Sequence, residues 1–120
     1  MTTRRQQDLR RLKKVTEAGW LAASQTLRAK AGEERAAAAR IAQLAQDRKT
    51  CMTQIATDQA GDIGRTLAAT RWLRWSEAER AKLNVGLARL RAQLSREQDA
   101  ARAAFARDQA LARLLRRLEK

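Results

Sequence analysis

Leu83, Leu87, Leu90, Leu94, Glu97, Ala101, Ala104, Asp108, Leu111, Leu115 and Leu118 follow one another in alternating steps of four and three. That is the period of an amphipathic helix whose stripe meets a single partner helix. An upstream block repeats the pattern with smaller residues: Trp20, Leu27, Glu34, Ile41, Arg48 and Ile55 stand seven apart. The same register places Ser24, Ala31, Ala38, Ala45 and Met52 four residues after them in turn. The two blocks predict helix 1 over about residues 3–59 and helix 2 over about residues 70–118, with a turn at about 60–69. AGDIG at 60–64, with paired glycines and an aspartate, is the strongest turn signal in the chain. RTLAAT after it reads as loop or a frayed turn, which puts the start of the second helix between Arg65 and Trp72. Ser76, followed by Glu77 and Glu79, is either a helix-start signal or solvated surface.

A short connection turns the second helix back on the first. The expected fold class is therefore all-α: residues 1–120 form one domain, two long helices in an antiparallel coiled-coil hairpin. Helices of ~50 residues at 1.5 Å per residue make a rod of about 75 Å. A parallel dimer or trimer could use the same stripe, but the turn near the midpoint favours folding back. Polar seam residues then serve the register. Arg48 is expected close to Glu77 or Glu79, and Glu97 close to Arg28 or Lys30.

Composition narrows the chemistry. Aromatic residues are 3% of the 120, and proline, histidine and tyrosine are absent, the balance of long helices around a thin seam. No arrangement suits general acid-base, metal or nucleophilic catalysis, and no phosphate-cradling glycine loop or CxxC pair occurs, so no catalytic residue, metal ligand or cofactor is expected and the chain reads as a non-enzyme. Cys51 is the one cysteine, which suits a reducing compartment and a small apolar role inside helix 1. No apolar run approaches the ~18 residues of a membrane span, and MTTRRQQDLRRLKK lacks the apolar stretch of a signal peptide, so a cytoplasmic location without membrane insertion is expected.

The net charge of +13 is uneven. Arg4, Arg5, Arg10, Arg11, Lys13 and Lys14 face Asp8 alone within residues 1–14, and Arg107, Arg113, Arg116, Arg117 and Lys120 face Asp108 and Glu119 within residues 107–120. A hairpin joins the two clusters at its open end, which should seek an acidic partner. Nucleic acid is open as that partner, although no RNA-recognition, zinc-finger or helix-turn-helix signature accompanies the arginines. TRWLRW at 70–75 supplies a different feature. Trp72 and Trp75, three apart, share a helix face while Leu73 projects elsewhere. Either both rings cover the last turn of helix 1 near Met52 and Ile55, or at least one, flanked by Arg71 and Arg74, stays exposed as a partner anchor. Trp20 falls in the seam by register.

This pattern resembles the FliJ family of the flagellar export apparatus and its type III secretion counterparts, small cytoplasmic antiparallel coiled coils. LRRLKKVTEAGWLAASQTL at 9–27, followed by an Ala/Glu/Arg-rich stretch into IAQL at 41–44, is similar to the family's N-terminal helix. TRWLRWSEAERAKLNVGLARLRAQL at 70–94 is similar to its returning helix, where Arg71 and Trp72 match an Arg-Trp pair. The resemblance implies a stalk like the γ subunit of rotary ATPases. Its basic end (Arg4, Arg5, Arg10, Arg11, Lys13, Lys14, Arg113, Arg116 and Arg117) would enter a hexameric export ATPase. A surface nearer the turn (Arg71, Trp72, Arg74 and Trp75) would meet the cytoplasmic part of the membrane export gate, with export chaperones as further partners and the inner membrane approached through them. Two departures from the family pattern are Ala78 and Lys82, where a more apolar gate-binding face is expected. Unrelated roles for the same pattern are a basic coiled coil on nucleic acid, or a secretion chaperone or scaffold.

Overall fold

The computed structural model describes residues 3–57 and 61–119. Two helices, α1 (Arg4–Thr57) and α2 (Ile63–Leu118), account for nearly all of them, and no strand occurs among the described residues. They pack antiparallel as a hairpin: Lys13 of α1 meets Asp108 of α2, and Arg48 meets Glu77.

Each helix start has a local cause. Thr3 and Gln6 form a reciprocal capping box, in which the Thr3 hydroxyl accepts from the Gln6 amide at 3.2 Å and the Gln6 side-chain oxygen accepts from the Thr3 amide at 2.9 Å. Asp62 caps α2, its Oδ1 accepting from the amides of Gly64 at 3.0 Å and Arg65 at 3.4 Å. Gly61, just before it, has φ +64°, the left-handed region that glycine enters without a Cβ penalty. The cap corrects the expected turn of 60–69 and helix start near 70: α2 begins at Ile63, and RTLAAT is helical. With Asp62 satisfying the first amides, nothing in RTLAAT resists the helix. The expected end of α1 at residue 59 and Ala60 of AGDIG lie outside the described residues.

The eleven-position register of α2 holds through Leu115. Leu87, Ala104, Asp108 and Leu111 are buried, the others half-buried, and Leu118 is exposed past the end of the seam. In α1 the seven-residue ladder is correct, and its companion row holds over the first half of the helix only. Ser24, Ala31 and Ala38, four after the ladder positions, are half-buried, as are Ala23, Lys30 and Ala37, three after them. Toward the turn the inward row lies three after the ladder: Leu44 is buried and Cys51 half-buried, while Ala45 and Met52 are exposed. Both choices alternate threes and fours, so spacing alone is neutral between them. Burial of Leu44 against α2 decides the outcome.

The contacts divide the chain into a terminal unit, Met1–Gly32 with Ala92–Lys120, and a turn unit, Glu33–Arg91. In the terminal unit, Gln6 Nε2 donates to the Leu118 carbonyl at 2.9 Å, and Arg10 pairs with Glu119 at 3.1 Å. The buried carboxylate of Asp108 accepts from Lys13 Nζ at 2.8 Å and from the Thr16 hydroxyl at 3.0 Å. In the turn unit, Ser76 is fully buried, and its hydroxyl donates to the Leu73 carbonyl at 2.7 Å while accepting from Arg48 Nη1 at 2.5 Å. Arg48 also donates to the Leu73 carbonyl and pairs with Glu77 at 2.7 Å, one of the two partners expected from the register. Ser76 is thus neither a helix start nor surface. It is a small seam residue across which a guanidinium lies. Arg40–Glu79 at 3.9 Å and Arg91–Glu34 at 3.2 Å follow it along α2.

Candidate functional site

The terminal unit carries the basic cluster. Arg4, Arg5, Arg10, Arg11, Lys14, Arg113, Arg116 and Arg117 are all exposed. Lys13 is the exception among the nine cations expected there: it turns into the seam and is held by Asp108. Arg116 and Arg117 lie in the last turn of α2, where a cation suits the negative pole of the helix. Arg4 and Arg5 lie at the opposite pole. The first turn of α1 contains no acidic residue, so these two arginines stand where the helix dipole disfavours them. Helix stability therefore does not explain their presence.

The Lys13–Asp108 pair is structural. The hydrogen bond from Lys13 is the main influence holding Asp108 below the usual carboxylate range, against burial, with help from the Thr16 hydroxyl. The same bond raises Lys13 above its ordinary value. A lowered carboxyl pKa contributes stability that is complete above its unfolded value, about pH 4, and is lost as pH falls through the folded value. The raised lysine pKa contributes below about pH 10 and loses that contribution as pH rises through the folded value. Denaturant midpoints are therefore expected to be flat between these limits and to fall at both edges. Asp108→Asn should lower the plateau and shrink both edges; unchanged edges would show that the pair does not set them.

The turn unit carries the aromatic patch. Trp72 and Trp75 share one face, ring centroids 6.5 Å apart and tilted 41°, with Arg71 and Arg74 exposed beside them. The two rings differ in burial. Trp72 is half-buried, while Trp75 is 54% exposed, so the pair does not close over α1 as a packing cap. Leu73, expected to project away, is half-buried, and its carbonyl receives Arg48. Ile55 is half-buried and Met52 is 57% exposed. A concavity of about 580 Å³ beside the turn is lined by Cys51, Ile55, Arg65, Thr66 and Ala69 among others, with Cys51 half-buried.

Sequence reasoning missed a second aromatic pair. Trp20 and Phe105 meet edge to face in the terminal unit, with centroids 5.4 Å apart. Trp20 was legible as a seam residue. Phe105, one position after Ala104 of the α2 register, becomes its neighbour only once the helices are aligned. Among the described residues, no three Cys, Asp or Glu side chains gather as a metal site, and no helix is long and apolar enough to cross a membrane. Comparisons with protein-family models, with curated proteins and with solved structures find no match to this chain.

Proposed function

We propose that this chain is a non-enzymatic, cytoplasmic component of a flagellar or type III protein export apparatus. In this reading it is a stalk whose basic terminal unit binds the hexameric export ATPase. The observation that carries it is the placement of Arg4 and Arg5 on the positive pole of α1, in the unit that also gathers Arg11, Lys14, Arg113, Arg116 and Arg117, a cost to the helix that an acidic partner offsets. The antiparallel hairpin and the Arg71–Trp72 pair of the resemblance support it as well. The cytoplasmic part of the export gate is the partner proposed for the turn unit, with peripheral attachment to the inner membrane through these partners.

The test is capture from a lysate of bacteria that assemble such an apparatus. Recovery of the hexameric ATPase, reversed by salt, supports the reading. Recovery of nuclease-sensitive material in its place would turn the basic unit toward nucleic acid.

The patch gives a separate expectation. Trp75→Ala should change unfolding free energy by no more than about 0.5 kcal/mol, as for an exposed side chain, yet cost about 2 kcal/mol in binding to the gate fragment, as a central aromatic anchor does. Titration calorimetry beside a thermal melt separates the two. A large stability loss with binding unchanged would make Trp75 a structural residue.

A further inference from the structure

A groove of about 410 Å³ runs along the side of the terminal unit, lined by Trp20, Ser24, Leu27, Ala101, Arg102 and Phe105 among others. Its lining includes two small residues, Ser24 and Ala101. It also includes two of the four aromatic residues in the chain. Phe105 is 47% exposed, although Trp20 already packs against it edge to face. Leu21, one turn before Ser24 and on the same face by its spacing, is 50% exposed. Apolar bulk is thus spent on a surface that the described side chains leave open.

Cations frame it. Arg28 lies one turn after Ser24, and Arg102 lies one turn before Phe105; both are exposed. The carboxylates nearby are Asp99, in an exposed 3.6 Å pair with Arg102, Glu17, one turn before Leu21, Glu97, half-buried one turn before Ala101, and Asp108, buried one turn after Phe105 and held by Lys13. The unit as a whole sets fifteen Lys and Arg against six Asp and Glu.

We infer that this groove is a docking site for an acidic amphipathic helix of a partner protein, laid between the two helices of the terminal unit. A third helix fits the depression between two packed helices, with anchors at i, i+3 and i+7 entering an apolar groove. Glutamates flanking such a stripe meet Arg28 and Arg102. A second copy of this chain brings the same excess of positive charge and is disfavoured. Single-stranded nucleic acid suits the charge, but it needs free ring faces for stacking, and here Trp20 is half-buried and the two rings already engage each other edge to face. The inference stands apart from the export reading, since its test involves no ATPase.

The probe is a synthetic 18-residue helical peptide with a leucine stripe and glutamate elsewhere, beside a lysine version of the same stripe. The full chain carries Trp72→Phe and Trp75→Phe so that Trp20 alone reports by fluorescence. The expected result is a saturable blue shift with the acidic peptide and binding at least tenfold weaker with the lysine peptide. Phe105→Ala should weaken the acidic peptide about tenfold, and so should Arg28→Glu combined with Arg102→Glu, with helicity by circular dichroism unchanged. Arg28 and Arg102 are exposed, and Phe105, which packs on Trp20, is 47% exposed, so a urea titration of each variant accompanies the binding assay. Any of four results overturns the inference: no binding of the acidic peptide at millimolar concentration, equal binding of the two peptides, tighter binding of a single-stranded oligonucleotide, or self-association that Phe105→Ala abolishes.

Discussion

Leu111→Ala and Leu87→Ala are each expected to lower the unfolding free energy by about 2–3 kcal/mol, the lower part of the range for a buried leucine. Both side chains are buried at 8% exposure, Leu111 in the terminal unit and Leu87 in the turn unit. The lower part of the range applies because the seam is one layer thick. A void between two helices opens to water or closes by a small approach of the backbones, so little of the cavity penalty persists. Leu114, one turn after Leu111 and 45% exposed, is the control, and Leu114→Ala should cost less than about 1 kcal/mol. Urea titrations followed at 222 nm compare the three. Equal losses at Leu111 and Leu114 would show that the register assigned to α2 does not carry the stability.

The second large effect is on binding. Reversing Arg4, Arg5 and Arg11 to glutamate should weaken association with the proposed partner, the export ATPase, about a hundredfold at low salt, with the difference shrinking as salt is raised. The fold should be preserved or improved, since acidic residues in the first turn of α1 suit the helix dipole that the native arginines oppose. A matched reversal of Arg35, Lys82 and Arg89, exposed cations of the turn unit, changes net charge by the same amount. If this control loses as much affinity, overall charge and not the terminal cluster drives the encounter, and the stalk reading loses its main support. Surface plasmon resonance at two salt concentrations, with circular dichroism on each variant, gives both readouts.

Periodicity made the helices legible in advance. A helix repeats its face every three to four residues, so an uninterrupted run such as Leu83 to Leu115 fixes both the element and its buried stripe. The paired glycines and aspartate of AGDIG fix the reversal, because Gly61 takes a left-handed φ and Asp62 caps the start of α2. Once the chain doubles back, residues at matching distances from the turn oppose each other, and Arg48 with Glu77 was legible for that reason. The exposed terminal arginines were legible as well, since a long cationic side chain outside the stripe has nowhere to go but water.

Other features depend on the partner helix. The second row of the α1 seam was ambiguous by spacing, and the burial of Leu44 over Ala45 was settled by where α2 lies. Ser76 has the look of a cap or of surface in one dimension, and it becomes the buried floor beneath Arg48 only when α1 crosses it. Lys13 counts as one more free cation until Asp108, near the other end of the chain, takes its ammonium into a hydrogen bond. Trp75 and Phe105 stay exposed for the same kind of reason: whether a ring is covered depends on what the opposing helix presents there, and small residues such as Ser24 and Ala101 leave the groove beside Phe105 open. The sequence by itself determined two helices, their reversal and the basic terminal cluster, because each depends on residues close together along the chain. The tertiary structure decided which polar groups are sealed in the seam and which aromatic rings are left facing outward, because burial is a property of two surfaces brought together.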